Sequence, residues 1–294
     1  MTTVLQFVVD ALTAGSFYAL FALGIALIFG IMQLVNFAHG ELIMVGAYTI
    51  FLTQAWPWQA TLLMAVVAVA VMALLMERAA FRPIRGANPA TLLITSFAVS
   101  FLLQNVAQMI FTTLPKSADV VPLFRSSVTV GGLTVGWLSV VTILATAVLL
   151  VALALFMTRT RAGVQMRAAA EDFEMARLCG VRSNRVIASA FAIGGLLAGV
   201  GAILLVGQTG GISLGIGLTP VLFGFTAAAI GGLGSLPGAV VGGYVLGVAT
   251  ALLQQLLPYE LAGYRDAFLF AGVFALMALR PGGLFRVAAL SPRV

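Results

Sequence analysis

The chain has 294 residues, of which 62% are hydrophobic and 8% charged, against about 25% charged in an ordinary soluble domain. That leaves too little polar surface to cover a globule in water, and the apolar residues come in runs of about 20, the length that crosses a hydrocarbon core of roughly 30 Å. The net charge of +6 is not a nucleic-acid footprint, because the basic residues sit in short segments between apolar runs.

Taken in chain order, Met1 to Asp10 lacks the basic region of a cleavable signal peptide, so the first apolar run reads as a retained span. Apolar runs fall near residues 5–29, 31–55, 58–76, 90–113, 136–157, 186–207, 218–232, 236–257 and 263–279. The 218–232 run is short enough to be re-entrant or half-length. The expectation is an all-α, polytopic transmembrane helical bundle of eight or nine spans, forming a single domain over 1–294. The lipid bilayer is its solvent.

Arginines orient the bundle. Arg78, Arg82 and Arg85 share one polar segment, Arg159, Arg161, Arg167, Arg177, Arg182 and Arg185 a second, and Arg280, Arg286 and Arg293 the tail. These are twelve of the fifteen basic residues and mark the cytoplasmic side. Lys116, Arg125 and Arg265 fall opposite, as do Trp56, Trp58 and Trp137 at run ends, where amphipathic rings favour the interface. Nine spans put the N-terminus outside and the C-terminus inside. Asp10 then belongs at the external mouth, with simple solvation as its plainest role.

Two interruptions stand out. One is the stretch from Gly30 to Glu41, and the other runs from Gly207 to Gly215. Breaks in both halves hint at the internal pseudo-repeat common in transporters, although the two stretches share little sequence. Gly195 and Gly199, Gly238 and Gly242, and Gly243 and Gly247 are each four apart, on one helix face where two backbones can approach. Packing within one subunit is the plainer reading of all three pairs.

The cytoplasmic segment at about 158–185 contains Glu171, Asp172, Phe173, Glu174, Met175, Ala176, Arg177, Leu178, Cys179 and Gly180. Acids first and a cation last suit the helix dipole, and Gly180 suits a left-handed terminating position. Met175, Leu178 and Cys179 form a small apolar face. Either a partner covers that face, or the segment folds against its own bundle; local physics leaves the two level. In the second span, Asn36, His39 and Glu41 line a pathway or form the hydrogen-bond network that fixes a helix break, and the network is favoured for His39 and Glu41. Gln104, Asn105 and Gln108 in the fourth span favour helix–helix hydrogen bonds over substrate contact.

The segment Val35-Asn36-Phe37-Ala38-His39-Gly40-Glu41-Leu42 resembles the N-F-A-H-G-E signature of LivH-type branched-chain amino acid permeases. Glu174-Met175-Ala176 with Gly180 resembles the E-A-A-x-x-x-G motif of ABC importer permeases, Met175 replacing an alanine. The run Gly231, Gly232, Gly234 to Gly238 and Ala239 resembles the second signature of the LivH-type family, and is read as a structural glycine turn between packed helices. Motif order and spacing extend the resemblance over nearly the whole chain. It implies a permease subunit in the bacterial inner membrane, paired with a LivM-type second permease, two ABC ATPase subunits and a periplasmic solute-binding protein. Its cargo would be branched-chain amino acids or a related small polar solute. Glu171, Phe173, Glu174, Met175, Ala176 and Gly180 would then form a short cytoplasmic coupling helix for the ATPase.

No cofactor is expected in the chain itself. A phosphate loop needs G-x-x-x-x-G-K-[ST], and the only lysine, Lys116, follows Leu114-Pro115. The single cysteine, Cys179, rules out an internal disulfide and a cysteine cluster, and the single histidine, His39, has no second zinc ligand nearby. ATP hydrolysis therefore belongs to separate chains, and this one is not an enzyme. The competing readings are a stand-alone secondary transporter, for which Glu41 is the one candidate coupling carboxylate, and a passive channel for a small solute such as urea.

Overall fold

The computed structural model describes residues 2–118, 126–130, 133–280 and 283–285; Arg125, Arg286 and Arg293 lie outside the described residues. The helices are α1 (Thr2–Met32), α2 (His39–Thr53), α3 (Trp58–Met76), α4 (Pro89–Phe111), α5 (Trp137–Arg159), α6 (Arg161–Glu171), α7 (Phe173–Leu178), α8 (Ser183–Thr209), α9 (Leu218–Gly231), α10 (Leu236–Leu256) and α11 (Arg265–Leu279). A π-helical turn, Glu77–Phe81, extends α3, and a 3₁₀ turn, Tyr259–Tyr264, precedes α11.

Seven of these helical stretches among the described residues are long and apolar enough to cross a membrane. Against the eight or nine spans expected, seven helices reach spanning length. The runs at 31–55 and 218–232 yield α2 of 15 residues and α9 of 14. At 1.5 Å per residue each is only about 22 Å long, short of the roughly 30 Å core. The nine apolar runs thus fold as seven helices of spanning length and two shorter ones. The all-α expectation holds apart from two short antiparallel ladders. One pairs β1 (Lys116–Ser117) with β4 (Gly211–Ile212), and the other pairs β2 (Ser127–Val130) with β3 (Leu133–Gly136).

Polar residues set several helix starts. Asn88 caps α4 by accepting from the Thr91 amide at 2.8 Å, with Pro89 in the first turn. Ser235 caps α10 in the same way, at 3.1 Å from the Gly238 amide. Each satisfies an amide that a helix N-terminus otherwise leaves unpaired.

Burial sorts the crossings. The apolar windows of α1 and α8 are 83% and 72% buried, whereas that of α11 is 6% buried. α1 is therefore the axis, packed against α5, α8, α9 and α10, and α11 presents most of its surface outward, as a helix in lipid can. Small residues make the axis possible. A Cβ on Gly243 of α10 would lie 2.5 Å from the Ala19 backbone of α1, and one on Gly195 of α8 would lie 2.7 Å from the Ala73 side chain of α3. Gly199 faces Val66 of α3, Gly242 faces Ala227 of α9, and Gly247 faces Gly15 of α1. All three spaced glycine pairs thus pack helices of this same chain.

Near the arginine-rich face, Glu77 and Arg85 form an ion pair, and Arg85 donates a hydrogen bond to Asn184. Burial lowers the Arg85 pKa from the ordinary guanidinium value. Phe81 is buried against the Phe191 ring, centroids 5.4 Å apart. These contacts tie the α3–α4 link to the start of α8, which follows α6 and α7 in the chain.

Candidate translocation site

The α1–α2 break is built by a change of direction. Gln33 takes a left-handed φ of 52° and ends α1, and the chain then climbs back along α1 until His39 lies beside Gly24. Met32 and Gly24 are eight residues apart, so the climb is about 12 Å. The Phe37 amide donates to Ser96 Oγ at 3.4 Å, and the Phe37 ring stacks on Phe97 of α4 with centroids 4.6 Å apart. α2 therefore starts inside the bundle rather than at its surface.

α9 starts at the same place. Gly217, just before α9, and Gly40, in the first turn of α2, meet backbone to backbone. A Cβ on Gly40 would lie 2.8 Å from the Gly217 carbonyl oxygen. The two half-length helices thus begin against one another and diverge, α2 toward the tryptophan-bearing face and α9 toward the arginine-bearing face.

The three polar residues singled out from sequence gather here with different environments. Glu41 is buried, and its Oε1 accepts from Ser100 Oγ and Gln104 Nε2, each at 2.7 Å. The hydrogen-bond network expected for Glu41, and the helix–helix role expected for Gln104, are both present. Asn105 instead donates to the Phe101 carbonyl of its own helix. His39 is 1% exposed and Asn36 5%. Among the described residues, neither ring nitrogen of His39 and neither polar side-chain atom of Asn36 has a hydrogen-bond partner. The network favoured for His39 from sequence is not there. Its ring instead occupies space left by Gly24, where a Cβ would stand 2.7 Å from Nε2.

A second feature was not read from sequence. A cavity of about 660 Å³ opens among the outer ends of α1, α5, α8 and α10 and the starts of α9 and α11. Asp10, Arg265 and Asp266 carry its charges, and Phe17 and Phe223 contribute apolar wall. Below, Phe17 packs edge-on against fully buried Phe21 at 4.8 Å. Asp10 and Gly24 are fourteen residues apart on α1, which places His39 about 21 Å deeper than the rim. Six elements distant in sequence build these walls, so no local motif announces them.

The glycine turn lies between α9 and α10. Gly232 and Gly234 adopt φ of 105° and 89°, a region that side chains oppose. Gly231 packs on Gly238, and Gly234 packs on Gly30 of α1.

The segment at 158–185 departs from the single helix expected over Glu171 to Gly180. Glu171 ends α6, and Asp172 adopts an extended conformation and caps α7 by accepting from the Met175 amide at 3.0 Å. Gly180 has φ of 85° with open space around it, as the left-handed terminator requires. Phe173 packs partly against the chain's own core and Ala176 is buried, whereas Met175 and Leu178 are 59% and 79% exposed. Glu174 stands in the first turn of α7.

A bundle with seven helices of membrane-spanning length, and with two shorter helices that start against one another beside buried polar groups, is that of a multi-pass membrane protein. The chain belongs to the family described as branched-chain amino acid transport system / permease component, whose model matches residues 7–277. It is similar to the high-affinity branched-chain amino acid transport system permease protein BraD of Pseudomonas aeruginosa, 35% identical over 95% of each chain. It is also similar to the LivH permease of Escherichia coli K12, at 34% identity over 95% of this chain and 94% of that one. A probable LivH permease of Methanocaldococcus jannaschii is 26% identical over 89% of this chain and 84% of its own. The family makes this chain a non-catalytic permease subunit of an ABC-type importer.

Proposed function

We propose that the chain forms half of an ATP-driven import path for branched-chain amino acids or a closely related small polar solute, in the bacterial inner membrane. Its partners in this reading are a LivM-type second permease, two ABC ATPase subunits and a periplasmic binding protein. The whole chain, 1–294, acts as one permease domain. The observation that carries the reading is the meeting of α2 and α9 at Gly40 and Gly217, inside a chain of this family. Half-length helices that start inside the membrane are how transporters place helix ends at a solute path. α1 with α2 and α8 with α9 repeat one plan in opposite directions, which supports an inverted internal pseudo-repeat. Asn36, His39 and Glu41 border the path or hold the break that shapes it. Gly231, Gly232, Gly234 and Gly238 keep α9 and α10 close at its cytoplasmic end.

In the same reading, α6 and α7 form the coupling element. Met175 and Leu178 are the apolar groups an ATPase groove would cover, while Phe173 and Ala176 hold α7 to the bundle. ATP binding in the partner biases the permease only through a difference in affinity for its two states, and this contact supplies that difference. The test is uptake by proteoliposomes holding the assembled transporter and its binding protein, with labelled leucine, isoleucine, valine, urea and acetamide. ATP-dependent accumulation of the three amino acids supports the proposal. Accumulation of urea or acetamide alone would overturn the substrate, and transport without ATP would overturn the importer.

A further inference from the structure

We propose that the outer cavity of this chain is itself a binding site for a small zwitterion with an aliphatic side chain. The ammonium group would be held by Asp10 and the carboxylate by Arg265. The inference rests on the importer reading for the direction of entry, and adds a site that one permease builds without its partner.

The rim carries both signs of charge in an unequal arrangement. Arg265 Nη2 lies 2.9 Å from Asp266 Oδ1, and its Nε donates to the same oxygen at 3.0 Å. That pair is neutral as a whole. A guanidinium has five N–H donors in a fixed fork, so an arginine held by one carboxylate oxygen keeps donors for a second carboxylate. The Arg265 side chain is 34% exposed. Asp10 receives a hydrogen bond from Gln6 Nε2 on its own helix at 3.0 Å, a neutral contact that leaves its charge uncompensated. The rim thus offers an anion to an ammonium and a guanidinium fork to a carboxylate.

Inside the rim the chemistry changes. Thr13, Ser139, Thr142 and Thr219 supply hydroxyls, while Leu204 and Phe223 supply apolar wall. Hydroxyls accommodate the polar end of the solute together with water, and the apolar wall takes the aliphatic end. About 660 Å³ falls within the roughly 300–1,000 Å³ of ordinary small-molecule sites, so a small amino acid enters with part of its water. The fully buried Phe21 packs beneath Phe17 and backs that wall of the cavity. A solute arriving from the outer face would bind here before any change of state.

The test uses the assembled transporter in nanodiscs, without the binding protein, in a Cys179→Ser background. Ser139→Cys reports occupancy through its rate of labelling by a charged maleimide, and Thr13→Cys is the second reporter if the first disturbs assembly. L-leucine should slow labelling at least threefold. Leucinol, which lacks the carboxylate, and 4-methylpentanoate, which lacks the ammonium, should protect far less at equal concentration. Asp10→Asn and Arg265→Gln should each raise the half-protecting leucine concentration about tenfold, the scale of one charge-assisted contact. Absence of leucine protection at both reporters, or equal protection by leucinol or 4-methylpentanoate, would overturn the site. Leucine uptake by the same complex reconstituted in proteoliposomes, with its binding protein and ATP, separates the two readings. Uptake without protection sinks the cavity site and leaves the importer, whereas protection without uptake keeps the site and sinks the importer reading.

Discussion

Gly40 and Gly217 touch through their backbones at the point where α2 and α9 begin, and neither position has room for a side chain. Residues far apart in sequence thereby lock the two half-length helices together. Replacing Gly217 with leucine should prevent that meeting, because overpacking a close backbone contact costs about 1–3 kcal/mol or more. Gly215→Leu is the control, since a Cβ there meets nothing within 4 Å. Monodisperse yield of the transporter in detergent should collapse for the first variant and survive for the second. Equal yields would remove the contact from the account.

His39 and Gly24 give a paired prediction. A methyl on residue 24 would stand 2.7 Å from His39 Nε2, so Gly24→Ala should lower the thermal midpoint of the transporter. Gly24→Ala combined with His39→Ala should recover much of that loss, because neighbours in contact are not additive. A double variant as unstable as the sum of the singles would mean that the ring does not fill this space.

Glu41 should be sensitive to losing its acceptor rather than its charge. Glu41→Ala leaves the Ser100 hydroxyl and Gln104 amide without their shared acceptor, at a cost of about 1–3 kcal/mol. Glu41→Gln retains a carbonyl oxygen for the two donors, so its thermal midpoint should fall less. Equal losses would show that the carboxylate charge, and not the hydrogen bonds, matters there.

Gly180 separates folding from coupling. Its φ of 85° disfavours a side chain by about 1 kcal/mol or more, yet no neighbour lies within 4 Å to be struck. Gly180→Val should insert normally while losing ATPase copurification and uptake. Met175→Ser with Leu178→Ser should do the same by removing the exposed apolar pair. Full uptake and full ATPase retention in both variants would rule out α7 as the coupling element.

Much of the architecture was legible in the sequence because lipid makes a simple demand: a crossing must be long and apolar, and its flanking charges must sort by side. The polar stretch from Gly30 to Glu41 marked the break, and the paired glycines marked close packing. Residue type alone could not show that α2 begins beside Gly24, because an apolar run does not reveal the depth at which its helix starts. The meeting of Gly40 with Gly217 and the six-walled outer cavity are products of tertiary assembly. The split between α6 and α7 did have a local signal. Asp172 followed by Phe-Glu-Met is a helix start, since aspartate is a strong N-cap, but the clustered acids read as one helix beginning.

The importer account stands or falls on what this chain needs in order to move solute. The direct measurement is labelled leucine uptake into liposomes containing the purified chain alone, compared with liposomes containing the chain, its second permease and the two ATPases, each with binding protein and with or without ATP inside the compartment facing the ATPases. The account predicts accumulation in the complete assembly with ATP, and none in the other three conditions. Equal uptake by the chain alone without ATP would contradict it, and would make the protein a self-sufficient transporter or channel.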